Sequence, residues 1–257
     1  MDPFKNVEIE YIRSFSKELK AEKFNRFWDE NGENIYANNI TIIKDELSAE
    51  EIVEIVSNEI DYRKKLRKGF CIVEIYNNDI KKILRGINQK VSSIDKFDYM
   101  SVETIKYKEL NSRSDYSISE VKTNDDYKKL EELSIKDNTS TMGRPYSRYR
   151  INRKINAYKD DSNSLKVFLC ARDRIAIGSL EFLKHNEFVK IEDFGFLKKY
   201  RNQGYGTSFL RDILKHAYEN NIKYAYVITD SKDTAKNMYA KCGFKKIGEK
   251  TQLIFDL

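Results

Sequence analysis

Arg201-Asn202-Gln203-Gly204-Tyr205-Gly206-Thr207 joins an apolar strand to an amphipathic helix through two closely spaced glycines, a joint suited to holding phosphate. Backbone N–H groups in the first turn of a helix have no intrahelical partners, and together with the helix dipole they attract an anion. Glycine lets the backbone approach where a Cβ would intrude. Lys198, Lys199 and Arg201 add positive charge beside it. Alone the string is a modest signal, because glycines also serve strand-to-helix turns for purely conformational reasons. It is not a Walker loop, which needs Gly-x-x-x-x-Gly-Lys-[Ser/Thr]. Nor is it a dinucleotide fingerprint, since Phe209 stands where the third glycine belongs.

The elements that must position this joint are legible on both sides. Phe188 to Leu197 (FVKIEDFGFL) reads as a strand rich in aromatic and β-branched residues. Phe209, Leu210, Ile213, Leu214 and Ala217 recur at helical spacing, which predicts a helix over Gly204 to Asn220. Tyr224 to Thr229 (YAYVIT) reads as a further strand. Asp230-Ser231-Lys232-Asp233 offers caps for a short helix that carries Ala235, Met238 and Tyr239 and stops at Cys242-Gly243-Phe244.

This ordered pattern resembles the GNAT superfamily of acyl-coenzyme A dependent N-acetyltransferases over residues 115–257. Two motifs carry the resemblance: Phe194 to Gly206 (FGFLKKYRNQGYG), similar to the family's fourth strand and pyrophosphate loop, and Lys232 to Phe244 (KDTAKNMYAKCGF), similar to the segment after its fifth strand. The upstream order also fits. A strand is expected at Tyr116 to Val121, helices at Asp125 to Lys136 and Ser147 to Tyr158, and a hairpin at Leu165 to Arg172 and Ile175 to Leu183, turning at Asp173-Arg174.

The resemblance implies transfer of an acetyl group from acetyl-coenzyme A, as co-substrate, to an amine. Such transfer needs a held and polarised thioester, a neutral amine and a stabilised thiolate. By position, backbone groups of Phe194, Gly195 and Phe196 would pair with the pantetheine arm. Arg201 and the amides of Asn202, Gln203, Gly204, Tyr205, Gly206 and Thr207 would hold the pyrophosphate. Tyr239 matches the tyrosine that often donates to the leaving sulfur, although its apolar neighbours Ala235, Met238 and Phe244 also suit a core tyrosine. Glu192 and Asp193 lie where the family often carries a base. Adjacent strand residues face opposite sides, so one is expected to face the acceptor, and Glu192 is preferred; a bulge marked by Gly195 would spoil that parity. Where the family often has an asparagine this chain has Lys232, which donates but cannot accept, so Asp230, Ser231 or Asp233 is the expected helix cap.

Composition bounds the rest. With 257 residues, 34% charged and 40% hydrophobic, the chain fits the soluble globular class; no apolar run of membrane-spanning length and no signal-peptide pattern is present, so a cytoplasmic protein is expected. Cys71, Cys170 and Cys242 are scattered and read as reduced thiols. His185 and His216 are far apart, His216 with an expected surface role, and no metal site is expected. Residues 1–113 carry 20 basic against 21 acidic residues, whereas residues 114–257 carry 27 against 20. A basic surplus suits the phosphates of coenzyme A. The aromatic-basic run Arg144 to Arg150 could suggest nucleic acid, but a wall of the acceptor site is the preferred reading.

The fold class is therefore α/β: a GNAT-like mixed sheet flanked by helices over 114–257, preceded by a smaller α/β lobe over 1–113. In that lobe strands are expected at Asn39 to Lys44, Phe70 to Tyr76 and Tyr99 to Tyr107, and helices at Ser48 to Lys65, opened by a Ser48-x-x-Glu51 capping box, and Asp79 to Gln89. The lobe has no Arg-x-x-Gly-x-Gly and no second coenzyme site is expected there; it is either a degenerate copy of the same fold or an unrelated lobe shaping the acceptor cleft. The link is expected near Asn111 to Ser114. The acceptor is a small-molecule or peptide amine that the sequence does not identify, and the competing class is a non-catalytic acyl-coenzyme A sensor.

Overall fold

The computed structural model describes residues 3–44, 47–76, 79–160 and 162–257. The first half runs α1 (Pro3–Arg13), β1 (Lys17–Lys20), β2 (Phe24–Trp28), β3 (Thr41–Ile43), α2 (Ala49–Lys65), β4 (Phe70–Ile75), α3 (Ile80–Gly86) and β5 (Ser93–Glu103). The second runs β6 (Ser117–Glu120), α4 (Asn124–Met142), α5 (Arg144–Tyr158), β7 (Leu165–Arg172), β8 (Ile175–His185), β9 (Phe188–Phe196), α6 (Tyr205–Glu219), β10 (Tyr224–Asp230), α7 (Ala235–Lys241) and β11 (Lys245–Asp256).

Local chemistry accounts for most of these boundaries. The β7–β8 hairpin turns on Asp173 and Arg174, both at positive φ (50° and 65°), as a two-residue turn matched to strand twist requires. Ser48 and Glu51 form the reciprocal capping box at the start of α2. In α6, Phe209, Leu210, Ile213, Leu214 and Ala217 are all buried against the sheet, as their spacing predicts.

Among the described residues eleven strands form one sheet in the order β1-β2-β3-β4-β11-β5-β10-β9-β8-β7-β6. The two halves repeat one plan: an antiparallel hairpin, a strand, a helix, a parallel strand, a short helix and a last strand. In the first half these are β1–β2, β3, α2, β4, α3 and β5; in the second, β7–β8, β9, α6, β10, α7 and β11. The N-terminal half is thus a shortened copy of the C-terminal one. The last strands are exchanged: β5 pairs with β10, β11 pairs with β4, and the two pair with each other along the centre. The expected strand Tyr99 to Tyr107 instead begins at Ser93 and yields at Thr104 to a 3₁₀ turn, whose Thr104 Oγ1 donates to the Ile222 carbonyl at 2.6 Å.

Helices α2 and α6 cover one face through separate apolar clusters. α1 covers the other, with Val7, Ile12 and Phe15 packed on Phe27, Tyr99 and Tyr226. α4 and α5 lie on that second side, over β7 and β8. His216, expected at the surface, is half-buried, with its ring against Phe168 and Phe182 at 5.3 and 5.6 Å. Among the described residues no helix is long and apolar enough to cross a membrane, and no group of three His, Cys, Asp or Glu side chains could hold a metal ion.

Candidate active site

β9 and β10 part company. Their parallel pairing covers only Phe188–Tyr224, Val189–Ala225 and Lys190–Tyr226. Beyond it β9 runs on to Phe196 against β8, and β10 runs on to Asp230 against β5, so their facing edges border an opening. An unpaired strand edge presents backbone donors and acceptors to whatever enters. Phe194, Gly195 and Phe196 form the β9 side of this opening.

At its end stands the glycine joint. Gly204 adopts left-handed backbone (φ 83°), the conformation that glycine enters at least cost, and Asn202 shares it (φ 59°). No side chain caps α6, and its first backbone bond is Ser208 N–H to the Gly204 carbonyl, so the amides of Tyr205, Gly206 and Thr207 lack helical partners. The side chains of two loop residues point elsewhere. Tyr205 is fully buried and its hydroxyl donates to Asp115 at 2.8 Å. Arg201 donates through Nε to the Phe196 carbonyl at 2.6 Å and through Nη2 to Asp137 at 2.7 Å. Its guanidinium therefore clips the loop to the end of β9 and to α4. Arg113 braces the loop from outside: Nη1 donates to the Gln203 carbonyl at 2.8 Å, its own N–H donates to Ser208 Oγ at 3.1 Å, and its guanidinium sits 4.3 Å from the Tyr205 ring centre.

Tyr239 on α7 reaches the same opening. Its ring lies 6.4 Å from that of Phe194 and 5.6 Å from that of Phe244. Among the described residues its hydroxyl has no hydrogen-bond partner. Burial, then the Glu192 carboxylate, pushes its pKa above the ordinary tyrosine value.

The two β9 carboxylates do not follow strand parity. β9 carries one extra residue between Glu192, opposite Glu181, and Gly195, opposite Ser179, and Asp193 in this bulge has φ 49°. Both carboxylates consequently reach groups on the α1 and α5 side, contrary to the expectation that one would face away. The bulge falls at Asp193, two residues before Gly195. Asp193 accepts from Arg150 at 3.0 and 3.3 Å and from Lys154 at 2.9 Å. Burial alone would raise its pKa, but these two cations outweigh it and hold the carboxyl far below the usual range. An anion bound so firmly is a weak proton acceptor. Glu192, one-third exposed, is paired with the buried Lys190 at 3.0 Å, and Lys190 is in turn paired with Glu8 of α1 at 2.5 Å.

Under these carboxylates lies a buried polar network. Glu181 accepts from Lys154 at 2.6 Å, from the Tyr11 hydroxyl at 2.5 Å and from the Tyr158 hydroxyl. Glu8 also accepts from Tyr226 at 2.9 Å and from Lys250 at 3.2 Å. Tyr146 and Tyr149 of the aromatic-basic run donate to the carbonyls of Asn34 and Asn31, so these rings brace α5 on the N-terminal half. Arg153 Nε donates to both carboxylate oxygens of the buried Asp29, each at 2.9 Å.

Sequence reasoning missed Asp137, Arg113, Lys190 and Glu8. Asp137 lies at the mouth of the opening, its Oδ2 3.4 Å from where a Cβ on Gly195 would stand; burial raises its pKa against the opposing Arg201. It stands one residue beyond the helix expected at Asp125 to Lys136, and α4 carries it to the opening by running on to Met142. Lys232 is exposed, and Asp233 caps the following turn by accepting from Ala235 N–H at 2.9 Å.

A strand pair that opens before an uncapped, glycine-flanked helix is the central feature of the GNAT fold. Residues 128–244 match the acetyltransferase (GNAT) family, in agreement with the motifs read over 115–257. The uncharacterized N-acetyltransferase CgeE of Bacillus subtilis (strain 168) is 30% identical over 135 residues, 48% of this chain and 51% of CgeE, so the match spans about half of that relative. Among solved structures, a functionally unknown conserved protein from Staphylococcus epidermidis superposes with a TM-score of 0.77 at 16% identity over 94% of both chains. A GCN5-related N-acetyltransferase from Kribbella flavida gives 0.69 at 11% identity over 98% of this chain and 94% of its own. A tandem GNAT protein from the clavulanic acid biosynthesis pathway gives 0.62 at 9% identity over 98% and 87%. At such identities the structural likeness speaks for the fold, and the tandem example agrees with the repeated plan of the two halves.

Proposed function

We propose that this protein is a cytoplasmic N-acetyltransferase that moves an acetyl group from acetyl-coenzyme A to a primary amine of a small molecule or peptide. One observation carries the reading: the β9–β10 opening leads directly to the uncapped start of α6. In this reading the exposed edge of Phe194, Gly195 and Phe196 pairs with the pantetheine arm and thioester. The amides of Asn202 to Thr207 hold the pyrophosphate, with Arg201 keeping the loop in place by its bond to the Phe196 carbonyl. The fit is chemical: free donors and a positive helix end face an anionic, amide-bearing chain.

The chain's residues then have distinct tasks. Glu192, oriented by Lys190, takes the proton of the amine as its nitrogen attacks the thioester carbonyl carbon. The C–N bond forms, the C–S bond breaks, and Tyr239 donates its hydroxyl proton to the departing thiolate. Burial and the Glu192 carboxylate raise the tyrosine's pKa, so the hydroxyl stands protonated as a donor toward the sulfur. Asp193 stays ionised and fixes α5 through Arg150 and Lys154, so it positions a wall of the acceptor site without accepting a proton.

A second reading, a non-catalytic acyl-coenzyme A sensor, draws on the commitment of both β9 carboxylates to cations. Incubation with acetyl-coenzyme A and a panel of amines, following free thiol, separates the two. The enzyme reading requires amine-dependent thiol release. Tight binding of acetyl-coenzyme A without release for any amine favours the sensor, and failure to bind it defeats both.

A further inference from the structure

A polar cavity lies at the C-terminal end of α2. Arg63, Arg67, Lys68, Glu33, Asn34 and the start of β4 at Phe70 line a cavity of about 100 Å³. That is room for roughly three waters, or for one tetrahedral oxyanion. Arg63 is 3% exposed, yet among the described residues its guanidinium makes one hydrogen bond, Nη2 to the Phe27 carbonyl at 3.2 Å, and its buried Nε has no partner. Among the described residues no carboxylate lies within ion-pair distance of it. Glu59, one turn earlier, is taken by Arg26 and by Thr41 Oγ1 at 2.6 Å, and Glu33 pairs with Lys68 at 3.0 Å. A guanidinium offers five N–H donors, and a buried cation without a counter-charge is costly. Burial indeed lowers the pKa of Arg63.

The turn beside it is informative as well. α2 ends with Lys68 N–H on the Arg63 carbonyl at 3.0 Å and Arg67 N–H on the Lys64 carbonyl at 2.9 Å, the paired bonds of a Schellman turn. The left-handed position of that turn ordinarily takes glycine, but here Arg67 occupies it at φ 53°. A strained arginine is thus kept beside an unpaired buried one, and with Lys68 against Glu33 the cavity wall carries two more positive than negative charges.

We propose that this cavity binds a phosphate-sized oxyanion, either free phosphate or the phosphoryl group of a small phosphomonoester, with Arg63 and Arg67 as its principal ligands. The bound anion supplies the counter-charge that Arg63 lacks. The same loop that lines the cavity through Glu33 and Asn34 braces α5 through the Asn34 and Asn31 carbonyls, so the site adjoins the wall of the acceptor cleft.

Thermal unfolding of the full chain at constant ionic strength tests the site without reference to catalysis. Inorganic phosphate, glycerol 1-phosphate and chloride are titrated against the wild type, Arg63→Met and Arg67→Gly. The wild-type Tm is expected to climb with the logarithm of phosphate or phosphomonoester concentration and to stay level in chloride. Climb with phosphate alone identifies the free ion as ligand; climb with the ester identifies the phosphoryl group of a larger molecule. Both variants should lose the climb. Arg63→Met, which removes an unpaired buried charge, and Arg67→Gly, which suits its turn, should each be at least as stable as the wild type in chloride. Equal behaviour in all three salts overturns the proposal. So does a phosphate response that survives both substitutions, since it would then arise at the start of α6.

Discussion

Tyr239→Phe separates chemistry from architecture at one position. The ring is buried between Phe194 and Phe244 and contributes packing, all of which phenylalanine keeps. The hydroxyl has no hydrogen-bond partner among the described residues, so its loss removes no folded-state bond; typical losses of about 0.5–1.5 kcal/mol for a made hydrogen bond should not appear. Stability in urea is therefore expected to match the wild type within about 0.5 kcal/mol. Turnover is a different matter. Positioned proton transfer contributes typically ~10²–10⁴-fold, so kcat in the thiol-release assay should fall by about 10²-fold or more, while the Kd for coenzyme A from calorimetry changes by less than about threefold. Unchanged kcat removes Tyr239 from the chemistry. A fall in stability large enough to account for lost activity shows that its hydroxyl is a structural group.

Three further outcomes follow from the site. Glu192→Gln should depress kcat in the thiol-release assay by about 10²-fold or more; a parent-like kcat means that another group takes the amine's proton. Lys154→Met strips a cation from Glu181 and Asp193 at 2.6 and 2.9 Å. Breaking such a buried pair costs about 3 kcal/mol or more, which lowers Tm by about 6–12 °C; a change under about 2 °C would show that α5 is not held through these pairs. Asp193 has a folded pKa depressed below its ordinary 3.8, so its stabilising contribution is complete above that value and is lost as pH falls through it toward the folded pKa. Asp193→Asn should accordingly show a shallower loss of stability below pH 4 than the wild type in acid-denaturation curves, and equal slopes refute the depressed pKa.

Much of the C-terminal half was legible because its signals are local. The Asp173-Arg174 turn, the apolar stripe of α6 and the glycine joint each depend on neighbours within a few residues, and each lies where the sequence placed it. What was not legible is non-local. α1 escaped notice because its buried face mixes Val7 and Ile12 with Lys5 and Glu8, charges whose partners lie far along the chain, on β3, β9, β10 and β11. β5 was recognised as a strand, but nothing within its own sequence says that it lies between β10 and β11. Parity on β9 misjudged Asp193 because one inserted residue turns its side chain toward Arg150 and Lys154, and the direction of the Arg201 side chain depends on Asp137, 64 residues earlier.

A crystal structure with coenzyme A bears most directly on the central claim, that the opening between β9 and β10 before α6 receives the acyl donor. The pyrophosphate is expected within hydrogen-bond distance of the amides of Asn202 to Thr207, and the pantetheine arm along Phe194 to Phe196 with its sulfur near the Tyr239 hydroxyl. Coenzyme A lying anywhere else on the protein, or absent at millimolar concentration, would contradict it.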